Sequence, residues 1–173
     1  GNAWTSAIEL WEKAHPHLIE CGAQIVEDSM GSGEYCGSPS MRIIVRTRVH
    51  PTMAAGFGDG KIFPPKGVLG GGSGGPSLGF ILDEKGNRIQ ELPLIGIFQI
   101  EAGQALEVVT TGGGGYGNPF DRDPERVLHD VKRQWVSIAE AYHKYRVVLD
   151  ESTKAASVDY EATRNVRVQK NAL

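Results

Sequence analysis

One stretch constrains this chain more than any other. "TTGGGGYGNPFDRDPERV", Thr110 to Val127, runs four consecutive glycines, Gly112 to Gly115, through Tyr116-Gly117-Asn118-Pro119 into a helix start at Asp123-Pro124-Glu125. Positions without a Cβ add no side chain to a core, so what they offer is conformational freedom or close approach of backbones. The start signal combines an N-cap carboxylate, a proline at the first helical position and an acid in the first turn. A glycine loop between a strand and a helix raises the question of phosphate. A P-loop closes on Lys-Ser/Thr, and this stretch has neither. Asp121 and Asp123 would repel phosphate at the helix N-terminus that should attract it. A dinucleotide fingerprint fails as well, because no parallel βαβ unit follows. What stays open is close packing, of two backbones or of a backbone and another subunit.

Glycine is 23 of 173 residues, against an average share of roughly 7%. Most of it lies between residues 56 and 117, which marks a loop-dense β region and not general disorder. The length suits one domain, residues 1–173, with a core that needs no crosslinks. A net charge of -3 argues against nucleic acid or an anionic membrane surface as partner, and no apolar run is long enough to span a membrane. The start GNAWTSAIELW has no basic stretch followed by an apolar core, and no Met. It reads as a processed chain or a piece of something longer, cytoplasmic, with Cys21 and Cys36 as reduced thiols.

Periodicity gives an α+β reading: mainly antiparallel β through residue 111, helical afterwards. Trp4, Ile8 and Trp11 share a helix face over residues 4 to 14, and Pro16 ends it. "QIVED" predicts a short strand. "MRIIVRTRV" alternates, Ile43, Val45, Thr47 and Val49 against Arg42, Arg46 and Arg48. Residues 50 to 76 are punctuated by Gly and Pro and read mostly as loop. "SLGFILDEKGNRIQEL" predicts a hairpin turning at Gly86. Two more strands flank Glu101-Ala102-Gly103-Gln104. Val127, Val131 and Trp135 then recur at helical spacing, Ser137-Ile138-Ala139-Glu140 has capping-box spacing for a helix to about Tyr145, and the tail from Asp159 reads as helix.

Catalytic patterns are absent. His15, His17, His50, His129 and His143 show no metal-site spacing, nor do Cys21 and Cys36. No G-x-S-x-G precedes a helix. Asp59 and Lys61 sit in a glycine-rich turn where functional side chains are plausible and where ordinary turn polarity also accounts for them. The candidate interface or active-site residues are therefore Gly112, Gly113, Gly114, Gly115, Tyr116, Asp59 and Lys61, with no catalytic, cofactor or metal residue assigned.

Taken together, "VTTGGGGYGNPFDRDPERVLHDVKRQWVSIAEAYHKYRVVLD" resembles the closing segment of the hydantoinase B / 5-oxoprolinase family, with its "TPGGGGYGDP-x-x-RDPE-x-V-x-x-DV" run, then "VS-x-E-x-A" and "YGVVL". "FPPKGVLGGGSGG" is similar to the family's "PPWGLAGG-x-x-G" loop, and "IVEDSMGSGEYCGSP" more distantly to its "DSGGPGRFRGG". The departures are Met30, Ser32, Cys36-Gly37-Ser38, the segment Phe57 to Lys61 where hydantoinases often have an Asp-Arg pair, and Arg146 in place of the Gly of "YGVV". The resemblance runs from about Trp11 to Arg164 and matches only the C-terminal portion of much longer proteins. It implies a multi-subunit ATP-dependent enzyme. A hydantoinase A-like subunit would use ATP, with ATP and a divalent metal held on partner chains, and an N-terminal hydantoinase B-like portion would complete this one. The expected role is a small subunit or processed piece of a ketone carboxylase of the acetone/acetophenone type, inactive alone. The alternatives are a C-terminal piece of a cyclic-amide hydrolase and a purely structural interface subunit.

Overall fold

The computed structural model describes residues 12–93, 95–150 and 156–168. It divides into two compact units: residues 1–24, 41–61 and 77–110, and residues 25–40, 62–76 and 111–173. Most of the helix expected over residues 4 to 14 lies outside the described residues; 12–14 are helical.

The first unit is antiparallel β. A five-stranded sheet has the order β1-β2-β7-β4-β5, where β1 is Leu18–Ile25, β2 Met41–Thr47, β4 Leu78–Leu82, β5 Arg88–Glu91 and β7 Ala105–Val109. The alternation expected over residues 41 to 49 holds in part: Ile43 and Thr47 are buried, but Val45 is half-buried, and the strand ends at Thr47 with Val49 exposed. The 78–91 hairpin forms as expected, with Gly86 at φ 88° and Asp83 accepting the Lys85 and Asn87 amides at 2.9 and 2.8 Å. These hydrogen bonds, led by that of the Asn87 side chain, hold the Asp83 carboxyl below its usual range.

Two expectations need correction. The strand expected at "QIVED" runs instead over Leu18–Ile25. Its continuation is stopped by Asp28, at φ 60°, whose amide donates to the Trp135 carbonyl at 2.9 Å. The reading of residues 50 to 76 as mostly loop holds except over β3, Thr52–Phe57. Its Ala-Ala-Gly centre carries no alternation; pairing makes it a strand. β3 pairs with β6, Ile95–Ile100, from Thr52 opposite Ile100 to Phe57 opposite Ile95. β6 and β7 flank the expected turn but belong to different sheets.

The second unit holds the helices. α1 spans Pro124–Lys132, with Asp123 accepting the Glu125 amide at 2.9 Å. It ends at Gln134, φ 58°, where Trp135 N–H reaches back to the Asp130 carbonyl at 3.0 Å, a Schellman-type closure. Trp135 therefore lies past the helix that its spacing suggested. α2 spans Ile138–Tyr145, capped by Ser137, which accepts the Glu140 amide at 3.2 Å. It ends on Arg146, left-handed at φ 54°. A glycine here would adopt that φ without a Cβ penalty; Arg146 bears it. β8 (Leu149–Asp150) and β9 (Ser157–Val158) pair, and α3 covers Tyr160–Val168. Met30, Val127, Val136, Ala141, Tyr145 and Val147 form this unit's core, with Cys36, Val131 and Trp135 packed against it.

Candidate interface and active-site loop

The glycine run is the centre of a bundle of extended backbones. Three segments surround it, residues 29–38, 65–67 and 71–75, all in the second unit. Gly112 faces Ser29 and Gly75, Gly113 faces Gly37 and Ser38, and Gly114 faces Lys66 and Gly67. Gly115 returns to the first neighbour, facing Gly31 and Ser32. At each of the four positions a Cβ would come within 3 Å of another segment's backbone, so none admits a side chain. A β-strand would have left alternate positions free for side chains. Here all four face a neighbour. A Cβ on Gly115 would fall inside the Ser32 carbonyl, and one on Gly113 would stand 2.7 Å from the Ser38 nitrogen.

Hydrogen bonds fix the bundle. The amides of Gly112, Gly113, Gly115, Tyr116 and Gly117 donate to the carbonyls of Gly75, Ser38, Gly72, Tyr35 and Val68, at 2.8 to 3.0 Å. Gly31, Gly72, Val68 and Tyr35 donate in turn to Gly113, Ser32, Gly115 and Tyr116. A phosphate cradle works by presenting unpaired N–H groups to an anion. These N–H groups are already committed to carbonyls of the same chain. At one end, the rings of Tyr35 and Tyr116 lie 6.3 Å apart, both exposed.

The bundle feeds directly into a buried ion pair. Gly117, at φ 75°, turns the chain into a short 3-10 segment, Pro119–Asp121, capped by the Asn118 side chain on the Phe120 amide. Arg122 follows. Its guanidinium donates to the Asp130 carboxylate at 2.8 Å and to the Glu34 carbonyl at 2.9 Å, and the two side chains are 7% and 4% exposed. Arg167 of α3 donates to the Arg122 carbonyl at 2.8 Å and to that of Tyr145 at 3.2 Å. One arginine thus ties α1 to the 29–38 segment, and a second ties α3 to the Arg122 backbone and the end of α2. Burial pushes the Arg167 guanidinium below its usual value, the Tyr145 phenol well above its own, and the Cys36 thiol up, with Arg122 partly opposing the last. Cys36 therefore stays a thiol at neutral pH and is a poor nucleophile.

Lys61 belongs to the first unit. It pairs with Glu91 at 2.6 Å and donates to the Leu92 carbonyl at 3.3 Å, an ordinary turn-to-strand clamp. Asp59 is exposed in the same turn. The first unit also holds Glu107, fully buried on β7, which accepts from Arg88 through both oxygens at 2.9 Å and from Arg42 at 2.5 Å. The arginine face of β2 thus partly neutralises a buried carboxylate, which Arg88, opposed by burial and helped by Arg42, holds below its usual range. Among the described residues no cluster of three His, Cys, Asp or Glu side chains could hold a metal, and no helix is long and apolar enough to cross a membrane.

Comparison with known proteins bears on this geometry. The family model for hydantoinase B/oxoprolinase matches residues 1–119. An uncharacterized Methanocaldococcus jannaschii protein is 32% identical over 92% of this chain. The chain belongs to the hydantoinase B/oxoprolinase family. The caprolactamase subunit beta of Pseudomonas jessenii is 33% identical over 87% of the chain. The solved ATP-dependent caprolactamase from that organism superposes with a TM-score of 0.76 at 29% identity, covering 94% of this chain. The acetone carboxylase alpha subunit of Xanthobacter autotrophicus is 27% identical over 94% of the chain. A nucleotide-free acetone carboxylase structure shares the fold at a TM-score of 0.79, with 22% identity over 96% of this chain. The chain spans only 28% and 26% of the length of the first two sequence relatives, and 28% and 26% of the solved caprolactamase and carboxylase chains.

Arg122 and Asp130 are two residues of the "RDPE-x-V-x-x-DV" pattern on which the resemblance was drawn. Their bond was missed because the sequence reading treated that run as a helix start. A charged pair of opposite sign within one such run is the signal that was available.

Proposed function

We propose that this chain supplies the C-terminal portion of a hydantoinase B-type subunit in a multi-subunit ATP-dependent enzyme that opens a cyclic amide. A hydantoinase A-like partner would spend ATP on the amide carbonyl oxygen, and the B-type subunit would complete hydrolysis of the activated ring. ATP and any divalent metal would sit on partner chains. This chain's part would be to hold the bundle around Gly112–Tyr116 rigid at the edge of a site that other residues complete, so that alone it turns over nothing. The carrying observation is the caprolactamase match: 33% identity over 157 aligned residues and 87% of the chain, which leaves little room for insertions.

Ketone carboxylation, the expectation favoured from sequence, is the second reading. It is supported by the acetone carboxylase alpha subunit aligning over 94% of the chain. That alignment runs over 198 positions, more than the chain's own 173, so insertions open it. The lower identity and the insertions place this reading second.

The test is ATP consumption by the complex purified with its native partners. Turnover with caprolactam, hydantoin or 5-oxoproline, without bicarbonate, is expected. Turnover only with a ketone and bicarbonate would replace this proposal with the second reading. Replacing exposed Tyr116 by Ala separates a purely structural role: intact assembly with lost turnover would exclude it.

A further inference from the structure

The β3–β6 ribbon has a largely apolar face, ended by Gln99, which donates to the neighbouring Glu101 carboxylate. Paired register puts Met53 opposite Gln99 and Ala55 opposite Ile97, with Ile95 two residues along on the same side. Met53, Ile95 and Ile97 are 65%, 70% and 69% exposed. Ala54, Gly56, Gly96 and Phe98, on the other face, are half-buried. Two-stranded ribbons are marginal in water by themselves, and a contiguous exposed apolar face marks an interaction surface. The rest of the first unit's sheet handles its surface differently: β5 is exposed at Arg88, Ile89, Gln90 and Glu91, three of them polar.

We infer that the Met53–Ala55–Ile95–Ile97 face docks the remaining portion of the hydantoinase B-type subunit, carried on the same polypeptide or on another. The inference rests on the functional reading above. The solved caprolactamase keeps this fold, at a TM-score of 0.76, inside a chain of which it is only 28%. About three-quarters of that chain therefore has no counterpart here. Where that portion is carried on the same polypeptide, a second copy of this chain would have to displace a partner present at high effective concentration. The face asks for an apolar strand or helix side, packed without charges, as in the core of an interface.

The experiment places a photo-crosslinking amino acid at Ile97 in the full chain, isolated with its native partners, and reads the attached peptides by mass spectrometry. A second position, Ile89 on β5, serves as control. The expected result is attachment at Ile97 to peptides that match the hydantoinase B family outside the region represented here. Ile97→Lys should lower recovery of that portion at least about tenfold, equivalent to one factor of ten in affinity, while slow amide exchange in β2 and β7 shows that the variant is folded. If Ile97→Lys unfolds the chain, the crosslink decides alone. Attachment to a second copy or to a hydantoinase A-like chain overturns the inference, as does an Ile97 probe that captures nothing. If the complex contains the B-type remainder and Ile97 does not touch it, only the inference falls. If it contains no B-type remainder, the functional reading falls with it.

Discussion

The two units solve the same problem, an interior without orphaned polar groups, in opposite ways. The five-stranded sheet uses alternation. Side chains point to opposite faces in turn, Ile43 and Thr47 fill one face of β2, and where a charge is buried at Glu107 two arginines answer it. The glycine bundle uses deletion. With backbone neighbours at every position, none of Gly112 to Gly115 can hold a side chain, so carbonyl–amide bonds between segments hold the bundle instead. Substitution tolerance should follow: graded in the sheet, all-or-none in the bundle.

Four substitutions sharpen that contrast. Gly115→Val puts atoms where the Ser32 carbonyl stands and has no flexible neighbour to move. We expect a loss above about 4 kcal/mol, seen in urea unfolding as collapse of the second unit; a cost under about 1 kcal/mol would contradict the packing account. Asp130→Ala leaves Arg122 buried without its carboxylate, at a cost of about 3–5 kcal/mol in the same assay. Glu107→Gln should cost less, about 1–3 kcal/mol, because Arg42 and Arg88 are partly exposed and can turn to water. Its pH dependence has a definite sign. A carboxylate held below its ordinary value of 4.5 adds stability that is present above that value. The contribution fades as pH falls through the lower folded-state value. The gap in unfolding free energy between wild type and Glu107→Gln should therefore be widest near neutrality and close in acid; a gap that widens in acid would refute the assignment. Smallest is Ser137→Ala, which removes the acceptor for the Glu140 amide and should cost about 1 kcal/mol, measured as a shift in thermal midpoint.

Local chemistry was legible, and long-range pairing was not. Asp123-Pro124, Ser137 with Glu140, and Gly86 in its turn each act within about one turn of chain, so a single sequence exposes them. β3 was illegible because "TMAAGF" has no alternation and owes its state to a partner some forty positions away. The glycine run announced close approach but not its neighbours, since Ser29, Ser38 and Lys66 carry no pattern marking them as walls of the bundle. Of the candidate residues, Gly112 to Tyr116 form one built structure, whereas Lys61 is engaged in a surface pair with Glu91. Arg122 and Asp130 lie eight residues apart, and the local chemistry of the helix start between them does not expose their bond.

The central claim is that the amides of Gly112, Gly113, Gly115, Tyr116 and Gly117 are committed to carbonyls of this chain and not kept for an anion. Amide hydrogen exchange at Gly112, Gly113, Gly115, Tyr116 and Gly117 tests it most directly. The account predicts slow exchange, comparable to β2 and β7, and no change when ATP or inorganic phosphate is added. Exchange at the rate of an open loop, or protection that appears and saturates with added nucleotide, would contradict it.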